Sequence, residues 1–503
     1  MLIHVRRLVN SFHVTVRVPP EILGMIPSYL TEDDLFSASQ VCHYWRSVLI
    51  SSPSLWTRVS CDDVSRASTS LERCRSRPIQ LQLKSSFSTT ALEEVILQGN
   101  VITSLTISRE PDWTPLLHQL FAFSRPSVER LHVYSEMAER RRDEEQIVHG
   151  IWQDLPSLRE LFVRRYYTPI DQLTAPNLVH LAMEHTKCSR IVTVQSILNT
   201  LRESPLLETL LIVQANIVAH DTAHHPSPVC LAHLNSIELG VVEVRSGLTT
   251  YLQFPPNAAV GFREMGLSDV CGDIPPVVMA AMHHVLGRIV IRCITLAAPT
   301  YNDVWLLVRF EGQKGSLEIS TDSVHSHKQI WTFLFGPEGV LSHHSPRIRN
   351  VKELHIVDCP FEDGRGLHYV SAAMPNLVSI SVFRCNGPRI FELLAPTNLS
   401  SPPFPHLERI TVLGSESGLE RMARTRRDCG VPLKTLVVGR DSRGFKYGHL
   451  EDYAALGELV DDLHVGCPTE VLRWAARNEI FNIRSTAEAP GPVSPYGNLK
   501  ALG

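Results

Sequence analysis

Residues 377–412 read LVSISVFRCNGPRIFELLAPTNLSSPPFPHLERITV. Leu377, Ile380 and Val382 follow the template apolar-x-x-apolar-x-apolar, and Leu407, Ile410 and Val412 repeat it 30 residues later. In an extended segment alternate side chains share a face, so the second and third apolar residues point to one side and the x residues to the other. The same template stands at Leu158/Leu161/Val163, Leu178/Leu181/Met183, Leu207/Leu210/Ile212 and Leu234/Ile237/Leu239, then at Val351/Leu354/Ile356 and Leu433/Leu436/Val438. Weaker copies begin at Ile102, Val128, Phe262, Ile291 and Val460. Successive copies from Leu178 to Leu207 to Leu234 are 29 and 27 residues apart, and those from Val351 through Leu377 and Leu407 to Leu433 are 26, 30 and 26 apart.

This spacing falls in or beside the period of leucine-rich repeats. Each unit supplies one short strand and one return segment and cannot bury its own apolar face; stacking buries a continuous core and pairs each strand with its neighbours. Return segments are expected at 194–202, 370–374 and 419–427. Cys359 and Cys385, eight residues after Val351 and Leu377, stand where the template takes Asn or Cys and are read as packing residues. The predicted fold class is α/β: a short amino-terminal helical module followed by an irregular leucine-rich-repeat solenoid with a curved parallel sheet, least regular between about 240 and 350. The x positions, which include Glu160, Glu353, His355 and Thr411, would line a concave face, and aromatic and arginine side chains are the usual interface anchors. Phe162, Arg164, Phe383 and Arg409 are therefore the expected contacts for a protein ligand.

The 503 residues are 44% hydrophobic and 20% charged, which describes a folded chain and excludes a mostly disordered or collagen-like one. A net charge of -4 supplies no bulk attraction to nucleic acid or to an anionic membrane. The most apolar run, Ile274 to Leu286, is too short to span a bilayer and contains Pro275, Pro276, His283 and His284. Residues 1–18 lack a continuous apolar core, so no secretion signal is expected. Eleven scattered cysteines without a CxxC pair fit reduced thiols in the cytoplasm or nucleus.

Residues 18–56 read VPPEILGMIPSYLTEDDLFSASQVCHYWRSVLISSPSLW. Pro19, Pro20 and Glu21 suit a first helical turn, with Ile22, Leu23, Ile26 and Leu30 on one face. Thr31 before Glu32, Asp33 and Asp34 predicts an N-cap and a second helix carrying Leu35, Phe36 and Ala38. A third helix is expected from Val41 to Leu49, broken by Ser51, Ser52 and Pro53. Three helices this short bury little apolar surface alone, so a module bearing Trp45, Leu55 and Trp56 needs a partner.

The ordered set Pro19, Glu21, Ile22, Leu23, Ile26, Leu30, Asp34, Leu35, Val41, Cys42, Trp45, Arg46, Leu55 and Trp56 resembles the F-box. The departures are Val18, where the family takes Leu, and Pro27, inside the first helix, where a missing N–H would kink it. The resemblance implies docking onto a Skp-type adaptor, and through it onto the cullin and RING subunits of an SCF ubiquitin ligase. The implied docking residues are Pro19, Ile22, Leu23, Ile26, Leu30, Leu35, Val41, Cys42, Trp45, Leu55 and Trp56. The expected organisation is a loose arm (1–17), the F-box (18–60), the repeat array (61–484) and a Pro/Gly/Ala-rich disordered tail (485–503).

Neither G-x-x-x-x-G-K-[ST] nor G-x-G-x-x-G occurs, and the serines of GSESG (414–418) are out of place for a hydrolase elbow. His220, His224, His225 and Cys230 have spacings found in zinc sites, but the surrounding run 214–228 reads as an inserted loop, as does 395–405. The histidine pairs at 283–284 and 343–344 are discounted likewise, and ERRRDEE (139–145) reads as a solvated helix face. No enzyme, no cofactor, no metal, no nucleic acid and no membrane is expected. The expected function is substrate recognition for a ubiquitin ligase; the alternative is a non-degradative interaction scaffold built on the array.

Overall fold

The structure, a computed structural model, describes residues 19–25, 30–84, 87–108, 119–122, 127–134, 155–165, 173–184, 192–215, 217–218, 227–240, 243–244, 246–263, 291–297, 306–312, 315–321, 348–357, 370–383, 387–395, 403–413, 418–439 and 451–466. The chain forms two compact units, residues 1–235 with 246–255, and residues 236–245 with 256–503.

The first unit opens with helices α1 (Pro20–Met25), α2 (Glu32–Val41) and α3 (His43–Ile50) and a 3-10 turn, Pro53–Trp56. Strand β1 (Arg58–Ser60), helix α4 (Val64–Cys74), strand β2 (Ile79–Leu83), helix α5 (Thr89–Gln98) and strand β3 (Ile102–Ser108) follow. Next come β4 (Arg130–Tyr134), β5 (Glu160–Arg164), β6 (His180–Glu184), β7 (Val192–Thr193), α6 (Val194–Arg202), β8 (Thr209–Val213), β9 (Ile217–Val218) and β10 (Val229–Cys230). The chain then leaves this unit for β11 (Ser236–Gly240) and returns for β12 (Leu252–Gln253).

In this unit β1, β2, β3, β4, β5, β6 and β8 pair in that order, all parallel. Apolar residues fall into one row across the sheet, Val59 and Leu81 followed by the template leucines Leu105, Leu131, Leu161, Leu181 and Leu210, none more than 1% exposed. Burial of each contributes about 1.5–3 kcal/mol. The approach to the strand is also repeated. Leu158, Leu178, Leu207 and Leu234 each donate a backbone N–H to the residue three back, Leu155, Ala175, Ser204 and Leu231, and all four acceptor residues are buried. In the second unit Val351, Leu377 and Leu407 do the same toward Ile348, Met374 and Phe404. β1 and β2 precede the first template copy at Ile102 and were not legible as copies.

The second unit contains β11, β13 (Ala259–Arg263), β14 (Ile291–Ala297), β15 (Leu306–Gly312), β16 (Gly315–Thr321), β17 (Glu353–Val357), β18 (Ser379–Phe383), α7 (Gly387–Leu394), β19 (Arg409–Leu413), α8 (Leu419–Asp428), β20 (Thr435–Gly439), α9 (Glu451–Leu459) and β21 (Asp462–Gly466). From β14 through β17 to β21 the pairing is again parallel and in order. Between β13 and β14 it departs from the repeat: β13 pairs in parallel with β16, and β15 pairs antiparallel with both β16 and β14. Only two residues separate β15 from β16, a connection that an antiparallel pair permits and a parallel pair does not.

Two expected return segments are α6 and α8, and residues 370–373 make one helical turn. The third amino-terminal helix starts at His43 rather than Val41, because Cys42 is extended and breaks the run. The arm 1–17, the tail 485–503, Val18, Ile26, Pro27, Cys359, Cys385, the charged run 139–145, the run 274–286, the histidines at 343–344 and residues 414–417 lie outside the described residues. Among the described residues no helix is long and apolar enough to cross a membrane.

Candidate functional site

The amino-terminal helices are built from local signals. Thr31 Oγ1 accepts from the Asp34 N–H at 3.2 Å, and the Asp34 carboxylate accepts from the Thr31 N–H at 3.4 Å, a reciprocal cap that starts α2 where the sequence predicts it. Cys42 ends α2 and caps α3, its Sγ accepting from the Trp45 N–H at 3.5 Å. α1 and α2 both pack on α3. Arg46 Nε donates to the Ser39 carbonyl at 3.0 Å, and Trp56 Nε1 to the Leu49 carbonyl at 2.9 Å, so the buried polar groups of the turn are satisfied.

The implied docking residues divide in two. Leu23 and Trp56 are fully buried and Leu35 is 4% exposed, so these three form the core of the module and not its surface, a correction to their placement at the interface. Ile22 and Val41 are 49 and 60% exposed, with Pro19 also exposed and Leu30, Cys42, Trp45 and Leu55 half-buried; Met25, which is not one of the implied docking residues, is 60% exposed on α1. Of the eight large apolar side chains exposed among the described residues, three lie on α1 and α2, which concentrates uncovered apolar surface there.

Behind this surface the module is bolted to the strand–helix pair that follows. The Phe36 and Trp56 rings meet edge to face at 5.2 Å. Arg73 of α4 lies 4.2 Å over the Trp56 ring and 5.7 Å from that of Phe36, and Arg66 is 5.7 Å from Phe36. Burial holds the Arg73 guanidinium below its usual pKa. Asp33 forms an ion pair with Arg66, and Arg58 Nη1 donates to the Leu30 carbonyl at 3.5 Å. Glu32 accepts from the Ser60 N–H at 3.0 Å and from the Ser70 hydroxyl at 3.3 Å. Burial pushes the Glu32 carboxyl up to about 7, against the opposing effects of Ser70, Ser60 and Lys84. Glu32, Arg66 and Arg73 were missed as coupling residues; the seven-residue spacing of the two arginines on one helix was the available signal.

Of the four expected ligand contacts, Phe162 and Arg164 belong to the first unit and Phe383 and Arg409 to the second. Arg164 is half-buried 3.5 Å from the Glu184 carboxylate, and Arg409 is exposed between Ser379 and Thr435 in register. Phe162 is only 5% exposed, its ring edge-on to His132 at 6.0 Å, and Phe383 is 1% exposed. Both phenylalanines are corrected to packing residues. Phe162 has an aromatic neighbour in register on β4, and Phe383 belongs to a row, Val357, Phe383 and Leu413, that is apolar in sequence. Of the other x residues in this region, His132 Nε2 is 3.0 Å from Glu160, and His355 is 6% exposed and held near pKa 4 by burial. His220, His224 and His225 lie outside the described residues, and Cys230 is exposed on β10. Among the described residues no group of three potential metal ligands gathers.

The family model described as F-box-like matches residues 15–62. The chain carries an F-box-like domain. The match encloses α1, α2, α3 and β1, so the F-box is the module whose exposed apolar side chains and closed core are described above. No curated protein matches the sequence. Among solved structures the chain is similar to one in the crystal structure of the Rad7 and Elc1 complex in yeast, at 13% identity and a TM-score of 0.36 over 76% of this chain and 93% of that one. A likeness at that level carries no argument about fold or partners.

Proposed function

We propose that the protein is the substrate-recognition subunit of an SCF-type ubiquitin ligase, with the F-box docked on a Skp-type adaptor and the strand array, a leucine-rich-repeat solenoid in this reading, binding a protein substrate. The observation that carries the reading is the exposure of Ile22, Met25 and Val41 on a module whose own core is already closed by Leu23, Leu35, Leu49 and Trp56. Apolar side chains on so small a module gain by being covered, and the F-box-like match supports a Skp-type adaptor as the partner that covers them. Cullin and RING subunits join through the adaptor. The chain itself is not an enzyme in this account: it acts by tethering, which raises the local concentration of substrate lysines at the ligase. The proposed compartment is the cytoplasm or nucleus, in keeping with cysteines scattered without pairing motifs.

The test is turnover of a protein captured by the array, in cells that express wild-type chain or Ile22→Asp with Val41→Asp. Turnover that needs the intact F-box surface supports the ligase reading. Capture without F-box-dependent turnover replaces it with the scaffold.

A further inference from the structure

One contact between the F-box helices and the β1–α4 segment that follows them is made by a carboxylate withdrawn from water. Glu32 stands in the first turn of α2, yet its carboxylate bonds outside the F-box helices, to the Ser60 amide through Oε2 and to the Ser70 hydroxyl of α4 through Oε1. Around it are Asp33 of its own helix, paired with Arg66 of α4; Cys61 and Asp62 after β1; and Lys84 after β2. The Lys84 ammonium is 2.8 Å from Asp62, which leaves Glu32 with two neutral donors at hydrogen-bond distance. A carboxylate removed from water on those terms pays a desolvation cost in its charged form. The neutral acid keeps an acceptor for the Ser60 amide and adds an O–H donor. An acceptor stands at hydrogen-bond distance for it: the hydroxyl of the fully buried Ser70, 3.3 Å from Oε1.

We propose that Glu32 is a proton-operated latch between the F-box and the array, tightening the junction when its carboxyl is protonated and loosening it when charged. The titration falls near neutrality, because burial raises this carboxyl toward 7 from the ordinary 4.5. In the ligase reading the latch would set how firmly the array is held relative to the adaptor; that consequence rests on the proposed function, whereas the latch itself does not.

The experiment is amide hydrogen exchange on the full chain without adaptor, corrected for intrinsic rates, from about pH 5.5 to about 8.5, following residues 30–41 and 58–70. Wild-type protection in these segments should rise by about tenfold or more as pH falls across that range. Glu32→Gln, an uncharged isostere with a carbonyl acceptor and an NH2 donor group, should hold the acid level of protection throughout, and Glu32→Ala should lose it at every pH. Retention of the wild-type pH dependence in Glu32→Gln overturns the proposal, as does unchanged protection in Glu32→Ala. Because no adaptor is present, failure of adaptor docking leaves this result untouched, and failure of the latch leaves docking untouched.

Discussion

Arg73 lies over the Trp56 ring, its guanidinium carbon 4.2 Å from the centroid. The pair joins the last turn of the F-box to the helix that follows it, and Arg73 Nη1 is buried with no hydrogen-bond acceptor, so the ring face is what receives the cation. Arg73→Ala should therefore destabilise the first unit by about 1–2 kcal/mol through loss of a desolvated cation–π contact. Trp56→Ala should cost about 3–5 kcal/mol, since it also opens a cavity and orphans the Leu49 carbonyl. Urea unfolding read by tryptophan-independent circular dichroism checks both, and Arg73→Lys should fall between wild type and Arg73→Ala.

Two titratable groups, the half-buried Glu32 and the buried His355, predict opposite pH responses in the two units. Glu32 has its folded pKa raised to about 7 from 4.5, so its contribution is fully present below 4.5 and is lost as pH rises through 7. His355 has its folded pKa lowered to about 4 from 6.5, so its contribution is present above 6.5 and is lost as pH falls through 4. Between these limits acidification should increase protection around residues 30–70 and decrease it around 353–383. Hydrogen exchange resolved by segment checks the sign, and His355→Gln should flatten the second response alone.

Arg426 is fully buried on α8, with Nη1 donating to the carbonyls of Leu394 at 3.3 Å and Pro403 at 2.9 Å and Nη2 to that of Phe404 at 2.9 Å. Burial lowers its pKa to about 10, still high enough to keep it charged near neutrality. It ties the end of α7 to the approach into β19. Arg426→Ala should cost about 3–5 kcal/mol by leaving three carbonyls without a donor. Denaturant unfolding checks the size, and exchange at the amides of 403–410 should rise first.

Gly261 on β13 faces Glu238 on β11, and a Cβ at this position would come within 2.9 Å of Glu238 Cγ. Gly261→Ala should destabilise by about 1–3 kcal/mol through overpacking. The double variant with Glu238→Ala should recover most of that loss in a thermal-unfolding cycle, which separates crowding from a general effect of the backbone.

What could be read from the sequence follows the range of the interactions. The cap at Thr31 and Asp34 and the strand positions at Leu161, Leu181, Leu354 and Ile380 depend on residues close in the chain and on a repeating period, and both survive without a structure. The burial of Phe162 depends on His132 in the neighbouring strand, and the role of Glu32 on Ser60 and Ser70, 28 and 38 residues away. β14 carries only a weak copy of the template, at Ile291, and β15 and β16 carry none, so the period gave no sign of the antiparallel pairing there. For the F-box, order and spacing identified the residues but not their division into core and surface: Leu23 and Ile22 are adjacent in sequence, one fully buried and the other 49% exposed.

The most direct test of the account is the affinity of the purified full chain for a Skp-type adaptor, measured by titration calorimetry beside the double variant Ile22→Asp with Val41→Asp, both checked for folding by circular dichroism. Both substitutions are at exposed positions and leave the core formed by Leu23, Leu35 and Trp56 intact. The account predicts binding by wild type and a loss of about 30-fold or more in the variant, the equivalent of about 2 kcal/mol. A folded wild-type chain that does not bind the adaptor, or a variant that binds it equally well, would contradict the account.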